Sequence, residues 1–365
     1  MGGWTVSRIL ALNPRAAITE VAVFATDGES RRGEVCHDRD ELAALASVSA
    51  QLAPRLHAVE EWLLKWVDPE GTSAFDAVVG PVGYPGALPS GTYLLDETLF
   101  ARLTESEQGD YGKKLGVPLA AAIARARGTP AFAVAPVSGE ELDPLARISG
   151  VPELRFGNMQ HHQHFNVREL MRMTADELGR PVAALSAVAA HLGRVFTICS
   201  CKGGRVLDIS TSTERGPFSP MNSGALPVAA VARMAYSGMW SRDALLDALA
   251  LEGGARSYAG SENLSEIAAR GAQGDVFAIL LLRAMSYQVA QEVAAQAVAL
   301  RGRVDAVVLT GGCLRESAFL DPLAERLSWI AETLLPYPDE DELSLMARSV
   351  GRVLNGEMEA DSPPQ

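Results

Sequence analysis

ILALNPRAAITEV, residues 9 to 21, is the stretch on which the reading of the chain turns. Ile9, Leu10 and Leu12 form a short apolar run of strand character. Asn13-Pro14 marks a turn, and the alternation of TEVAVFA (19–25) starts a second strand. A strand, a tight turn and a second strand at the head of an α/β chain is a place where phosphate is held. Such turns use Gly, Ser, Thr and Lys, because bare N–H groups, hydroxyls and an ammonium must approach a dense anion. This turn offers Arg15, Ala16, Ala17, Ile18 and Glu20 instead. It has the place of a phosphate turn and the wrong chemistry.

The rest of the chain supports an α/β reading. Its 365 residues suffice for roughly two domains, and 48% apolar residues supply a core. Strand character recurs over 77–79, 131–134, 187–190, 195–201, 205–209 and 304–310. Helical spacing runs over 40–67, 114–126, 167–178, 275–300 and 342–354. TICSCKGGRVLDIS (197–210) reads as a hairpin turning at Lys202-Gly203-Gly204. Each half opens with a strand ending in a polar turn, at Asn13 and at His191, followed by another strand. The tail 357–365 is acidic and Pro-rich, and frayed by that reading.

A formal net charge of −13 argues against nucleic acid and against an anionic membrane face as partners. Four cysteines (Cys36, Cys199, Cys201, Cys313) are too few for a disulfide scaffold and suit reduced thiols. The longest apolar run, VFAILLL (276–282), is too short to span a bilayer, and no signal peptide is recognised at the N-terminus. A soluble, cytoplasmic protein is expected.

Several segments together resemble the butyrate kinase branch of the acetate and butyrate kinase family. They include RILALNP (8–14), LPSGTYLLDE (88–97), AAHLG (189–193), KGGRVLDI (202–209), GPFSPMNSGALP (216–227), AMSYQVAQ (284–291), VDAVVLTGG (304–312) and RVLNGE (352–357). The resemblance implies a two-domain actin and sugar-kinase-like fold of the acetate kinase type, with an interdomain cleft. Residues 1–140 plus a returning 345–365 would form one domain, and 141–344 the other. It also implies transfer of the γ-phosphoryl group of ATP, with Mg²⁺, to a carboxylate oxygen. Carboxylate and ATP are both anions, so that chemistry rests on positioning and on positive charge around the transferring group.

Residue by residue, the resemblance carries over unevenly. Asn13, His161, His191 and the metal-linked Glu342 are kept. Pro81 and Asn222 stand where the family has its two arginines, and Ala135 where it has an aspartate. Glu20 stands in place of a lysine. Of the three glycines expected after the second histidine, Gly193 remains, while Arg194 and Val195 add side chains. Arg15 and Arg194 are new positive charges in turns. They are either compensating anion contacts or solvated surface residues.

Other residues stay open between a sharp and a plain reading. Asn13 is a Mg²⁺ or water contact, or a turn asparagine satisfying its own backbone. Gly311-Gly312 lets an adenosine lie on the backbone, or simply makes a tight turn. His161, His162 and His164 are a transition-metal set, or one inherited histidine with solvated neighbours. Cys199 and Cys201 share a strand face as a redox or soft-metal pair, or as core. The run Asp339-Glu340-Asp341-Glu342 holds Mg²⁺, or is a solvated helix start.

The expectation is therefore a butyrate kinase-like chain, catalytically degenerate, that binds nucleotide, an acyl ligand or a partner. The alternatives are a working ATP-dependent carboxylate kinase, or a different enzyme or metal site on the same cleft. Mg-ATP is the cofactor if nucleotide binding persists. A homo-oligomer, or a hetero-oligomer with an active kinase paralogue, is the expected assembly.

Overall fold

A computed structural model of the chain describes residues 8–25, 30–69, 75–83, 88–104, 112–137, 141–154 and 166–364. The chain divides into two compact units. One comprises Met1–Ser138, His164–Glu169 and Glu342–Gln365; the other comprises Gly139–Gln163 and Leu170–Asp341. Glu342 therefore belongs to the first unit, although the sequence expectation starts the returning segment at 345.

The first unit is built on a six-stranded mixed sheet. Its strands are β1 (Arg8–Pro14), β2 (Ile18–Ala25), β3 (Ser30–Cys36), β4 (Ala77–Pro81), β5 (Gly91–Leu94) and β6 (Ala131–Ala135), in the order β3-β2-β1-β4-β6-β5. β1, β2 and β3 are an antiparallel meander, β1, β4 and β6 run parallel, and β5 returns antiparallel at the edge. Alternation along β1 serves two layers. Leu10 and Leu12 pack with the helices Leu52–Trp66 and Gly116–Arg127 through Val59, Leu63, Leu119 and Ile123. Ile9 and Ala11 pack with the helix Glu342–Leu354 through Leu343, Met346, Ala347 and Val350. That i, i+3, i+4, i+7 stripe fixes the helix on the sheet. Burying each of its larger side chains contributes about 1.5–3 kcal/mol.

The second unit repeats the scheme. Strands β7 (Ser186–Leu192), β8 (Phe196–Lys202) and β9 (Arg205–Thr211) form the meander, and β10 (Ala306–Thr310) and β11 (Thr333–Tyr337) add in parallel, in the order β11-β10-β7-β8-β9. The β8–β9 hairpin turns on Gly203 and Gly204, both at positive φ (58° and 79°), where glycine carries no Cβ penalty. The helix Val276–Ala299 starts at Asp275, whose carboxylate accepts from the Phe277 and Ala278 amides. It buries Leu281, Met285, Val289 and Val293 against the sheet. Each unit thus has an antiparallel meander followed by parallel additions, the repeat hinted at by Asn13 and His191. No described helix is long and apolar enough to cross a membrane.

Several local expectations need correction. The helix expected over 40–67 is broken into Arg39–Ala43, a 3₁₀ turn at Ser49–Gln51, and Leu52–Trp66. Ser47 Oγ accepts from the Ala50 amide at 3.2 Å and so competes with helical pairing. β3, β5 and β11 carry no clear alternation and escape a pattern reading. The tail does not fray through the described residues. Asp361 accepts from the Thr92 amide and donates its own N–H to Thr92 O, each at 2.8 Å, capping the exposed edge of β5.

Candidate functional site

In the first unit the candidate residues gather at the C-terminal end of β1. Asn13 continues the face of Ile9 and Ala11, so it meets the start of the helix Glu342–Leu354. Its Nδ2 donates to Glu342 Oε2 at 2.8 Å and to Glu20 Oε2 at 2.7 Å. Both amide protons are thereby used. Asn13 is fully buried, and its Oδ1 has no hydrogen-bond partner among the described residues. Arg15 Nε pairs with Glu20 Oε1 at 2.8 Å, and its guanidinium approaches Glu342 Oε2 at 3.8 Å.

The fifth member is Lys113, which the sequence reading passed over. Its Nζ lies 3.2 Å from Glu342 Oε1 and 3.5 Å from Oε2. Burial pulls its pKa down; Glu342 beside it pulls upward, Arg15 downward and Glu20 upward. Glycine packing sets its position. A Cβ on Gly112 would meet Arg15 O at 2.2 Å, and one on Gly83 would meet Lys114 Cα at 2.4 Å. A Cβ on Gly116 would meet Pro81 O at 2.5 Å. The segment Gly112–Leu115 is thus clamped between the β1–β2 turn and the exit of β4 by backbone contacts that only glycine permits. The flanking glycines of GKKLG (112–116) were the available signal. A lysine counted as lost from the turn is matched by an ammonium from another part of the chain.

The turn itself is held from beneath by Arg55, fully buried on the helix Leu52–Trp66. Its Nη2 donates to Ala16 O at 2.6 Å, its Nη1 to Ile18 O at 3.3 Å, and Gln51 Oε1 accepts from Nη2 at 3.0 Å. His37 bonds Thr19 Oγ1 through Nε2 at 2.8 Å. Burial, with Arg55 nearby, lowers its pKa to about 4. The guanidinium thus satisfies Ala16 O and adds a second, longer bond to Ile18 O, which already accepts from the Arg15 amide at 2.7 Å.

Two expected catalytic positions end the parallel strands that follow β1 in this sheet. Pro81 ends β4 opposite Val134, and Ala135 ends β6 opposite Gly91. Both are buried, and neither side chain carries a polar atom. His161, His162 and His164 lie outside the described residues.

In the second unit, β7 and β10 end side by side, with His191 opposite Thr310. His191 Nδ1 and Thr310 Oγ1 are 3.0 Å apart. Gly311 has φ 101°, and a Cβ there would meet Leu192 C and O at 2.7 Å. The turn therefore requires glycine at this position. Gly312 is exposed, and a Cβ there would meet nothing closer than Arg315 Nη1 at 3.4 Å. A Cβ on Gly193 would meet His191 Nε2 at 2.8 Å, and Gly193 O accepts from Cys313 Sγ at 3.4 Å. Burial lifts the Cys313 thiol to about 12, so it stays protonated.

Arg194 is half exposed and pairs with Glu262 at 2.6 Å, a carboxylate that Arg256 also approaches at 3.6 Å. Asn222 is buried in a closed network. Its Nδ2 donates to Ala250 O at 2.6 Å, its backbone N–H to Ser219 Oγ at 3.0 Å, and its Oδ1 accepts from Ser219 Oγ at 3.1 Å. Cys199 and Cys201 are buried free thiols with sulfurs 3.7 Å apart. A hydrogen bond between them and burial raise the Cys201 pKa, which leaves it a poor nucleophile or ligand. Asp339 pairs with Arg315 at 2.8 Å. Among the described residues no three His, Cys, Asp or Glu side chains converge as a metal-binding group.

A "Probable butyrate kinase" of Coprothermobacter proteolyticus is 35% identical to this chain over 97% of its length and 98% of the relative's. The chain belongs to the acetokinase family. That family's model matches residues 161–326. A "Probable butyrate kinase 2" of Caldanaerobacter subterraneus subsp. tengcongensis is 30% identical over 96% of this chain and 98% of that protein. Among solved structures, acetate kinase of Porphyromonas gingivalis superposes with a TM-score of 0.75 at 16% identity, covering 95% of this chain and all of that one (100%). A propionate kinase of Francisella tularensis gives 0.66 at 15% identity, over 94% of this chain and 98% of that one. These likenesses establish the two-domain actin-like kinase fold.

The family implies ATP with Mg²⁺, and the fit of Glu342 to that ion can be tested on its neighbours. Both carboxylate oxygens already face Lys113, and Oε2 also accepts from Asn13. Asn13 presents its nitrogen, not its oxygen, to both carboxylates. Mg²⁺ needs oxygen ligands in near-octahedral array. The residues as arranged do not fit it.

Proposed function

We propose that this acetokinase-family chain has lost phosphoryl transfer and uses the fold to bind a nucleotide, an acyl ligand or a protein partner. One observation carries the reading: the positive charges at the β1–β2 turn are spent internally. Arg15 is engaged by Glu20, and Lys113 by Glu342. A transferring phosphoryl group needs cations aimed at its developing charge, and such an arginine is worth ~10³-fold or more in rate. Asn222 in its closed network and the apolar Pro81 and Ala135 supply none. Nucleoside binding at the exposed Gly312, next to the Gly311 turn, remains part of this reading. His191 and Gly193 border the same turn.

An assembly partner is also part of the proposal. The helix Val228–Ala235 has no buried residue, and Val228, Tyr236 and Met239 are 82%, 93% and 81% exposed. Apolar surface of that extent marks association, with a second copy or an active paralogue. The net charge of −13 disfavours nucleic acid and anionic membranes, and four free thiols suit the cytoplasm.

The test is acyl hydroxamate trapping with butyrate, Mg-ATP and hydroxylamine, alongside calorimetric titration of ATP. The expected result is no hydroxamate, whether or not ATP binds. Hydroxamate formed at ordinary kinase rates overturns the reading in favour of a working carboxylate kinase. The relatives' names favour that second reading, and Arg15→Ala and Arg194→Ala would then show which new arginine serves.

A further inference from the structure

The resemblance assigns a divalent cation to Glu342, and the neighbours of Glu342 supply a different one. We propose that the Lys113 ammonium, assisted by Arg15, occupies the place of a divalent cation at Glu342, so that Asn13, Glu20 and Glu342 take no Mg²⁺ or Mn²⁺ in the native protein.

Charge counting comes first. Among the described residues, Glu20 and Glu342 contribute two negative charges, and Arg15 and Lys113 two positive ones, so this set is balanced without a metal. A divalent ion would bring it to a net charge of plus two in a partly buried setting, where uncompensated charge is costly. Lys113 sits 3.2 Å from Glu342 Oε1, so the metal would have to expel it.

Positional rigidity comes second. Gly112 lies against Arg15 O and Gly83 against the Lys114 backbone, closer than any side chain allows. The segment carrying Lys113 therefore cannot swing away without breaking these contacts. Ligand geometry comes third. Both Nδ2 protons of Asn13 point to the carboxylates at 2.7 and 2.8 Å. Its oxygen joins them on one ion only if the amide turns over, which gives up both hydrogen bonds.

Removing the ammonium should uncover the site. Lys113→Met keeps the aliphatic stem and leaves two carboxylates with Arg15 as the one cation given for them among the described residues. The excess negative charge then attracts a small hard cation.

The experiment titrates MnCl₂ into the full-length protein, following free Mn²⁺ by EPR and heat by calorimetry, in wild type, K113M, E342Q and K113M/E342Q. Wild type and E342Q are expected to give the same titration, with no stoichiometric site. K113M is expected to gain one site, at least roughly tenfold tighter than anything in wild type, and K113M/E342Q to lose it. One equivalent of Mn²⁺ on wild type that disappears in E342Q overturns the proposal. So does a folded K113M that gains nothing. Should K113M not fold, the comparison of wild type with E342Q still decides. The readout is metal on the protein alone, so the outcome is independent of whether the chain transfers phosphoryl groups.

Discussion

Replacing Arg55 with methionine isolates what holds the β1–β2 turn. The guanidinium is fully buried, and every acceptor recorded for it is neutral: Ala16 O at 2.6 Å, Gln51 Oε1 at 3.0 Å, and Ile18 O and Thr19 Oγ1 at 3.3 and 3.4 Å. Methionine keeps the stem and deletes the donors. Two well-formed charged hydrogen bonds contribute about 1.5 kcal/mol each, and the two long ones add little. Burial disfavours the charged form of Arg55, and relief of that cost offsets part of the loss. The balance is about 2 kcal/mol against the turn. Hydrogen exchange by mass spectrometry reads it directly, because Arg15 N–H donates to Ile18 O and His37 N–H to Ala17 O across this turn. In R55M these amides should exchange roughly 30-fold faster, since 1.4 kcal/mol is about a factor of ten in the opening equilibrium. A companion signal comes from His37, whose pKa of about 4 reflects burial first and Arg55 second. It should rise part of the way toward 6.5 in R55M, as followed by NMR. Exchange within threefold of wild type, with an unmoved histidine, would refute the claim that Arg55 staples the turn.

The same histidine makes stability depend on pH. Its folded pKa of about 4 lies below the ordinary 6.5, so the unfolded chain takes the proton first and stability falls as pH drops through that window. It is full above 6.5 and levels off below about 4. Discounted for partial exposure, the contribution is about 1–2 kcal/mol, and urea midpoints of wild type and His37→Gln at both ends of the window measure it. Gly311→Ala should cost about 3 kcal/mol, because it combines a left-handed φ with a Cβ 2.7 Å from Leu192. Gly312→Ala, whose nearest contact is the far end of Arg315 at 3.4 Å, should stay within ~1 kcal/mol by thermal unfolding. Equal losses at both glycines would contradict the separate roles given to them. Iodoacetamide on the native protein should label Cys36, the exposed thiol, and spare the buried Cys199, Cys201 and Cys313; peptide mapping that finds either β8 cysteine alkylated would show that the second unit opens readily.

Local chemistry was enough for much of this protein. The alternation around Asn13, the paired glycines after Lys202 and the i, i+3, i+4 stripe from Leu343 each specify an element through neighbours in sequence. So do the segments that mark the family, which lie in order along the chain. Edge strands such as Gly91–Leu94 and Thr333–Tyr337 form because a partner strand is present, and composition alone does not record that. The charge cluster is further still from sequence legibility. Asn13 and Glu342 are separated by 329 positions and meet at 2.8 Å, and Lys113 reaches the same carboxylate across 229. Read in line, Glu20 stood in a lysine's place, Arg15 was an anion contact or a solvated turn residue, and Lys113 drew no reading at all. The fold joins all three with Glu342 into one charge-balanced set. Hydrophobic periodicity determines which face of an element is buried, but the partner of a buried charge is chosen by proximity in space, and that is settled only when the sheet and its returning helix come together.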